Sequence, residues 1–571
     1  MTVCLAEETQ SDEHPPIVRM PPFVVSGVRE GLPWKYARVA DFEVLTLCPE
    51  RLTEEFVRAK YLGSLFVPEP FRAKRSTPAA IVLFNQGSGA PAPAEAVPEG
   101  PRWASNVVGL AGTIENTDRD SWIATANLSK LSEWAPVSIS YGVILLKESS
   151  PGPPPWLEEG LFGDFGVFCS IMGFPGKNYV RLPKMVWGNE EETDAVRYYP
   201  RKLPELVPLD QFFNQPPPDK QKEPDKYRWW CSQAGLFVRW WMCGQKVADR
   251  NPAAFWKFAD QARHAPINEP FFKECFHQDY ATASKRMLAY LRSAMSSGDE
   301  FDVTDFPRLP ELKLRPATEV EVARLKGNWE RLEARRLRAD FPKLAQDYED
   351  AARRTLQRGL RLGGPDPKLL SVLGQFEYET GHPAEARPHL EAAAAAKAAG
   401  SRALLALARL RLAEERGHLS ADGKLSTVQL DLVLTPLFAA RARPPAMREV
   451  YQLIGEVWAQ SAVPPARGNL AVLLEGVQNF PRDPDLIWQA ADLHRRFGFN
   501  EEAAALAAQG EQVATDPVVR DRFAHLKAVL TPPTAEIHRN PQARDSTSAP
   551  WTPHGFARAS QLTEADRVYR S

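Results

Sequence analysis

The spacing of histidines is the first property of this 571-residue chain that bears on chemistry, because histidine is the usual general base and a common zinc ligand. Ten histidines occur, but none lies between His14 and His264. His277 follows Cys275 by two positions, and residues two apart on a helix face different sides, so the two do not form a nucleophile–base dyad. A zinc site with histidine ligands is therefore excluded from residues 15–263.

Other catalytic motifs are also absent from the sequence. There is no G-x-S-x-G nucleophile elbow and no phosphate-binding P-loop. Residues 87–91 (GSGAP) follow an apolar run, but they lack the third glycine and the helix that a dinucleotide site needs. The six cysteines show no C-x-x-C spacing, and their even number leaves disulfides in an exported protein open. The sequence therefore predicts no cofactor and no metal site.

A short phrase beginning at Trp156 carries the one resemblance to an enzyme family. The matching residues are Trp156, Leu157, Glu159, Gly160 and Leu161. Together they resemble the W-L-x-E-G-L-A phrase of gluzincin-type metallopeptidases, whose glutamate binds zinc. The order of predicted elements, strands followed by helices at 131–147 and 156–172, is similar too. The resemblance covers about residues 36–295 and implies that Glu159 stands where the third zinc ligand would be.

The same resemblance implies an H-E-x-x-H phrase on the upstream helix, and that phrase is missing. The best-placed segment, residues 138–142, reads Ser-Ile-Ser-Tyr-Gly. The resemblance therefore implies a degenerate peptidase-like domain that is not an enzyme and keeps Glu159 as a relic. A plainer interpretation makes Glu159 an acid favoured by the helix dipole and Trp156 a core residue.

An alternative stays open at this point, namely a hydrolase with an atypical carboxylate or thiolate site in the N-terminal domain. Its candidate residues are Glu115, Glu133, Glu148, Glu158, Glu159, Asp164, Cys231 and Cys243. Glu158 and Glu159 point about 100° apart on a helix, so these two do not form a ready pair.

Composition excludes several classes of protein. Lys plus Arg (70) nearly balance Asp plus Glu (72), so the net charge of −2 supplies no field for nucleic acid or anionic lipid. No run of 18 apolar residues occurs, so no membrane span is predicted.

The N-terminal MTVCLAEETQ resembles the end of a signal peptide. This predicts an exported or periplasmic protein if the start is truncated, and a cytoplasmic one as written.

Apolar patterning predicts strands and helices in the first half of the chain. The predicted strands are residues 36–46, 79–84, 104–114 and 121–128. The predicted helices are residues 52–66, 131–147, 156–172, 227–243, 251–263 and 269–295. The large aromatic residues in 227–243 fall at helical spacing and are assigned to packing.

The second half of the chain is rich in Ala, Leu, Arg and Glu and repeats itself. The segment from Asp366 aligns with the segment from Asp483, so that Gly381 falls on Gly498. Each unit resembles a tetratricopeptide repeat, with two helices, a turn glycine and a small residue where the paired helices touch. The small residues are Gly374, Ala408, Gly455 and Ala491. The register slips between residues 417 and 445.

The sequence as a whole predicts an α+β N-terminal domain with a mixed sheet, metallopeptidase-like, followed by an all-α tetratricopeptide-like solenoid. The predicted divisions are a Pro-rich leader (1–35), the α+β domain (36–298), a linker with one helix (299–339), the repeats (340–530) and a disordered tail (531–571).

Solenoid repeats present a concave surface built from their first helices, so we predict that this surface binds a protein or peptide partner. By the repeat register it contains Lys368, Ser371, Gln375, Tyr378, Arg402, Leu405, Arg409, Glu449, Gln452, Glu456, Asp485, Trp488, Asp492 and Arg495. The candidate contact residues among them are Lys368, Gln375, Tyr378, Arg409, Gln452, Trp488 and Arg495. The predicted function is non-catalytic protein interaction, without nucleic acid.

Overall fold

The computed structural model describes part of the chain, and the structural statements below concern that part. The described residues are 34–85, 114–128, 140–165, 170–174, 177–182, 184–185, 187, 205–244, 252–296, 299–302 and 306–530. None of their helices is long and apolar enough to cross a membrane. The predicted tail and nearly all of the predicted leader lie outside the described residues.

A mixed sheet organises the N-terminal half. The strands are β1 (Lys35–Val39), β2 (Phe42–Thr46), β3 (Ala79–Phe84), β4 (Ile114–Thr117), β5 (Trp122–Asn127), β6 (Ser170–Phe174), β7 (Lys177–Leu182), β8 (Asp299–Asp302) and β9 (Arg315–Pro316). The main sheet has the order β4-β5-β3-β2-β1-β9, with β2, β3 and β5 parallel and the outer pairs antiparallel. A smaller antiparallel sheet has the order β6-β7-β8. All residues of β2, β3 and β5 are buried, which is typical of strands covered on both faces.

Eight helices accompany the sheets in the described N-terminal residues. They are α1 (Glu50–Leu65), α2 (Ser140–Lys147), α3 (Pro155–Phe165), α4 (Leu209–Asn214), α5 (Pro224–Met242), α6 (Pro252–His264), α7 (Glu269–Phe276) and α8 (Tyr280–Ser296). α1 and α2 cover one face of the main sheet, where Phe56 and Tyr141 share a core with Val44 and Ile81. The mixed sheet with flanking helices confirms the predicted α+β class.

The helices α3 to α8 pack around a second, aromatic core. Trp156 is fully buried there, with its ring centroid 5.3 Å from that of Phe237 and 5.8 Å from that of Phe258. Trp230 and Trp240 on α5 are buried in the same core. Most of the large aromatic residues of α5 therefore serve packing, as their helical spacing predicts, whereas Trp229 is exposed.

Several predicted boundaries in this half differ from the structure. The helix predicted over 156–172 ends at Phe165, and the chain then enters β6. Residues 115–117, which follow the predicted strand 104–114, pair with β5 as part of β4. Most of the predicted strand 104–114 lies outside the described residues.

The C-terminal half is a succession of helices. They are α9 (Glu319–Leu337), α10 (Pro342–Gly363), α11 (Pro367–Glu379), α12 (Pro383–Ala395), α13 (Ser401–Glu415), α14 (Thr427–Arg441), α15 (Arg448–Ala459), α16 (Arg467–Asn479), α17 (Pro484–Arg496), α18 (Asn500–Val513) and α19 (Pro517–Leu530). Consecutive helices pack as pairs, among them α9 with α10, α11 with α12 and α17 with α18. The predicted helix–turn–helix units are confirmed, and the mostly helical C-terminal half fits tetratricopeptide-like repeats.

Local sequence signals explain why the repeats start and stop where they do. Asp366 and Asp483 are the N-caps of α11 and α17, and each side chain accepts hydrogen bonds from two backbone N–H groups of the first helical turn. In both helices a proline occupies the first helical position, directly after the aspartate. Gly381 and Gly498 end these helices with φ of +81° and +83°, a region that favours glycine. The repeat found in the sequence therefore comes from residues that begin and end the first helix in the same way in both units.

Residues 299–339 do more than connect the two halves. The predicted linker contributes β8 and β9, and α9 covers the face of the main sheet that α1 and α2 leave open. There Trp329 packs on Phe84, with ring centroids 5.1 Å apart, beside Leu45 and Val82. The central strands need apolar cover on both faces, and the first helix of the C-terminal half supplies it.

Gly374 and Gly455, two of the small residues predicted to lie where paired helices touch, contact different kinds of helix. A Cβ on Gly374 would lie 2.8 Å from Leu390 Cγ on the paired helix α12, as the repeat register predicts. A Cβ on Gly455 would instead lie 2.6 Å from the Gln489 side chain on α17, so this glycine contacts the next repeat. In the α15–α16 pair the close approach comes from Gly476, which faces the ring of Tyr451.

We expect Gly374→Leu to destabilise the helical half by roughly 1 to 3 kcal/mol, because the added side chain overpacks the α11–α12 contact. Thermal melts followed by circular dichroism measure this loss. Gly468→Leu is the matched control, since a Cβ there meets no atom within 4 Å. Equal melting temperatures for the two variants would contradict the proposed contact.

Candidate functional site

The turn between β4 and β5, Asp118–Ser121, lies against the helices of the C-terminal half. The first helices of successive repeats are neighbours in the fold, and the surface that they share is here called the first-helix face. These helices are α9, α11, α13, α15 and α17. Asp118 is fully buried on this face and accepts hydrogen bonds from Arg331 Nη2 at 2.6 Å and Gln375 Nε2 at 3.2 Å. Arg402 Nε donates to the Asp118 carbonyl oxygen. One acidic turn thus contacts three helices at once.

The charges around Asp118 explain why this carboxylate can be buried. Burial alone would raise its pKa, but the guanidinium groups of Arg331 and Arg402 outweigh that effect and hold the pKa at about 2. Arg331 is itself buried; its Nη1 donates to both carboxylate oxygens of Glu379 at 2.9 Å, and its Nε donates to Asn328 Oδ1 at 2.9 Å. Two carboxylates therefore satisfy one buried guanidinium, as a buried charge requires.

Asp120, two residues further along the turn, has a different environment. Its Oδ2 accepts the backbone N–H of Arg402 at 3.2 Å at the start of α13. Burial and the charge of Asp118 raise its pKa. Gly400 lies directly against the Asp120 carboxylate, so close that any Cβ would clash with it. A glycine at this position lets the turn approach the helix N-terminus.

Arg119 anchors the turn on its other side. It adopts a φ of 76°, and its Nε donates to the carbonyl of Ala446 at 2.9 Å. Its guanidinium also lies 5.3 Å from the ring centroid of Phe480. Three consecutive residues of the turn are therefore fixed by the helical half.

Six of the seven predicted contact residues line three cavities. Gln375, Tyr378 and Arg409 line a cavity of about 210 Å³, which we call the basic cleft. Gln452 and Trp488 line another of about 430 Å³, which we call the tryptophan cleft. Lys368 is exposed at the edge of a third, between the sheet and the helices. Arg495 lines none of these and pairs with Asp492 at 2.9 Å.

The two clefts on the first-helix face carry opposite charge. The basic cleft is lined by four arginines, Arg335, Arg338, Arg402 and Arg409. The acidic residue among its lining is Glu379, which already binds Arg331. The tryptophan cleft is lined by three acids, Glu456, Asp485 and Asp492, and by Arg496.

Two of the predicted contact residues already have neighbours within the chain. Gln375 is buried, and its Nε2 donates to Asp118 and, at 2.9 Å, to Glu379. Trp488 is half-buried, with Phe523 5.4 Å away between ring centroids and Arg522 4.2 Å from its ring centroid. Arg409 is exposed and has no ion pair among the described residues.

Glu159, on α3, lies in a separate cluster with two residues of α5. Tyr227 OH donates to its Oε1 at 2.8 Å, and Cys231 Sγ lies 3.9 Å from its Oε2. Burial and the negative charge of Glu159 raise the pKa of Cys231 to about 12. In the described part of the chain, no three His, Cys, Asp or Glu side chains group as metal ligands.

The other residues of the Trp156 phrase are packing residues. Trp156, Leu157 and Leu161 are buried in the aromatic core. A Cβ on Gly160 would lie 2.6 Å from the Ala234 carbonyl oxygen, so glycine lets α3 approach α5 closely. Ser140, in the segment where H-E-x-x-H is expected, lies 3.2 Å from Lys60 Nζ and also donates to Glu115.

Comparison with known proteins says little about the function of this chain. No family model matches the sequence, and no curated protein matches it. Among solved structures, a thermophilic TPR (tetratricopeptide-repeat) protein from Thermus thermophilus is 22% identical. The likeness covers 33% of this chain and 96% of that chain, with a TM-score of 0.23. Function therefore has to follow from the contacts within this chain.

Sequence reasoning missed Asp118, Asp120 and Arg331. Asp118, Arg119 and Asp120 connect two apolar strands, and charged residues in such a connection usually lie in a turn exposed to water. The signal that was available is the concentration of three charges in the short connection between two apolar strands. Nothing local identifies the partner, because Arg331 is 213 residues away along the chain.

We expect Asp118→Ala to lower the free energy of unfolding by roughly 3 to 5 kcal/mol, because it leaves Arg331 buried with one of its two carboxylate partners removed. Urea denaturation measures the change. Asp521→Ala, at an exposed acid without an ion pair among the described residues, is the control and should change stability by less than about 0.5 kcal/mol.

The same pair predicts a pH dependence with a definite sign. The pKa of Asp118 is lower in the folded state, about 2, than the ordinary value of 3.8. Its contribution is therefore present above about pH 4 and is lost as the pH falls toward 2. The stability difference between wild type and Asp118→Ala should shrink over that interval. A difference that does not change with pH would contradict the assignment.

Proposed function

We propose that this protein is a non-catalytic interaction protein that binds an extended, charged segment of a partner protein on its first-helix face. The observation that carries the proposal is the β4–β5 turn. This acidic segment of the same chain already lies on that face, held by Arg331, Gln375 and Arg402. The face therefore has the donors and the space to hold a carboxylate-bearing peptide.

The two clefts that the turn leaves open indicate the chemistry of the partner. Arg409 offers a guanidinium group that matches a carboxylate in the basic cleft, whereas Arg338 in the same lining already pairs with Glu349 at 2.7 Å. In the tryptophan cleft, Asp485 and the ring of Trp488 suit a lysine or arginine, whose charge pairs with the acid while its apolar stem covers the ring. The proposed segment is therefore acidic in one part and basic in another.

We further infer that the N-terminal half is a degenerate gluzincin-type domain. The match at Trp156 to Leu161 and the order of sheet, α2 and α3 support this inference. The structure also gives the matched residues a use in packing, in the contact of α3 with α5. In this proposal Glu159 is a hydrogen-bond acceptor for Tyr227 and carries out no reaction.

The alternative, a hydrolase with a thiolate or carboxylate site, has less support. A pKa near 12 keeps Cys231 a neutral thiol at physiological pH, whereas a nucleophilic cysteine needs its thiolate. Lys60, the basic group beside Ser140, is buried in an ion pair with Glu115 and donates a hydrogen bond to Ser140 Oγ, so it is not arranged to take a proton from this serine.

A charge reversal in the basic cleft tests the proposed function. Arg409→Glu should weaken binding to acidic peptides on an array by about tenfold or more, because repulsion replaces a salt bridge. The matched control is Arg354→Glu, since Arg354 is exposed on α10, away from the cleft, with no ion pair among the described residues. Equal binding by both variants would contradict the proposed groove.

A second prediction concerns Trp488. We expect Trp488→Ala to weaken binding of peptides with a basic residue, while Trp229→Ala, at an exposed tryptophan of the N-terminal half, leaves it unchanged. Trp488→Phe keeps an aromatic ring beside Phe523 and should retain the melting temperature. If Trp488→Ala only unfolds the chain and Trp488→Phe binds normally, the tryptophan is a core residue and the cleft must be placed elsewhere.

A third prediction concerns metal and activity. We expect the purified protein to contain no stoichiometric zinc, to cleave no peptide in a library, and to keep its melting temperature in chelator, since no metal binding energy would be lost. Elemental analysis of wild type and Glu159→Gln decides this. One zinc per chain in the wild type, lost in Glu159→Gln, would establish the alternative.

A further inference from the structure

A fourth cavity, of about 390 Å³, lies in the N-terminal half, and neither the first helices of the repeats nor Glu159 contributes to its lining. It is enclosed by the beginnings of β2 and β3, by α1 and α2, and by the segment 69–79. Its lining contains four basic side chains, Arg38, Arg72, Lys74 and Arg75, and two acidic ones, Asp41 and Glu69. The cavity is therefore polar and carries an excess of basic groups.

Arg75 is the decisive residue of this cavity, because its side chain is only 6% exposed. Its Nη1 donates to Glu148, which also accepts from Thr117 at 2.5 Å. Its Nε and Nη2 are buried and have no hydrogen-bond partner among the described residues. Buried guanidinium donors are normally satisfied, so this edge of Arg75 lacks an acceptor.

Further donors line the same cavity. Arg72 Nε is also buried without a hydrogen-bond partner in the described part of the chain. Tyr141 lines the cavity with its ring packed on Trp122, 4.3 Å between centroids. Burial raises the pKa of Tyr141, so its hydroxyl remains a neutral donor. Ser76 and Thr77 add hydroxyl groups to the lining.

We propose that this cavity is a binding site for a small-molecule oxyanion, a phosphate ester or a carboxylate, held by the Nε and Nη2 edge of Arg75 and by Arg72. Nε–H and Nη2–H lie on one edge of a planar guanidinium and point in parallel, which matches two oxygens of a carboxylate or phosphate. Glu148 balances the charge of Arg75, and the other three basic side chains of the lining outnumber its two acidic ones by one, so the cavity keeps a net positive charge for an anion. A volume of about 390 Å³ is within the usual range for small-molecule sites. The site is independent of the groove proposed above.

Arg72→Gln is the variant that tests the site, because Arg72 forms no ion pair among the described residues and its removal leaves no acid unpartnered. The measurements are melting temperatures over a titration with inorganic phosphate and, separately, with acetate, each against sodium chloride at matched ionic strength. We expect a saturable rise for wild type with one of the two anions. Arg72→Gln should weaken that response by about tenfold or more while keeping or raising the melting temperature without anion.

The control and the anions separate the outcomes. Arg286→Gln removes an exposed arginine on α8 and should respond as wild type does. A response to phosphate alone identifies a phosphate ester as the ligand class, and a response to acetate identifies a carboxylate. No rise beyond chloride in wild type, or an equal loss in Arg72→Gln and Arg286→Gln, would overturn the proposal.

Discussion

The buried ion pair of Asp118 and Arg331 is the constraint on which the arrangement of the two halves depends. Each charge would be costly to bury alone, and each has its second partner in place: Glu379 for the arginine, Gln375 for the aspartate. The pair therefore stabilises only the arrangement in which the β4–β5 turn touches α9, α11 and α13 together. Apolar contact between α9 and the main sheet holds the halves together, and the charges select their register.

The same constraint determines what the first-helix face can offer to another molecule. Docking of the turn uses Gln375 and Arg402, so these residues belong to the internal contact. Arg409, further along α13, remains exposed beside them. The internal acidic turn and the proposed external acidic segment are thus neighbours on one basic surface. Binding of the second does not require release of the first, because the two use different arginines.

Local chemistry made the helical half predictable, and distance along the chain made the docking unpredictable. Asp366 and Gly381 mark the start and the end of one helix in the sequence itself, because a helix cap involves only residues that are close along the chain. The burial of Asp118 depends on Arg331, 213 residues away, and no periodicity connects them. The role of residues 299–339 was missed for the same reason. A strand of two residues and a helix that covers a distant sheet leave no local signature.

The phrase at Trp156 shows how packing and chemistry can demand the same residues. Trp156 and Leu161 fill the aromatic core, and Gly160 lets α3 approach α5 to a distance that no side chain would permit. These demands come from the helix pair alone and hold with or without a metal. Glu159 then projects from a surface that packing has already fixed, and in this chain it meets Tyr227 and Cys231. The phrase therefore indicates a close contact between two helices before it indicates any chemistry. What Glu159 can do is decided by the side chains around it.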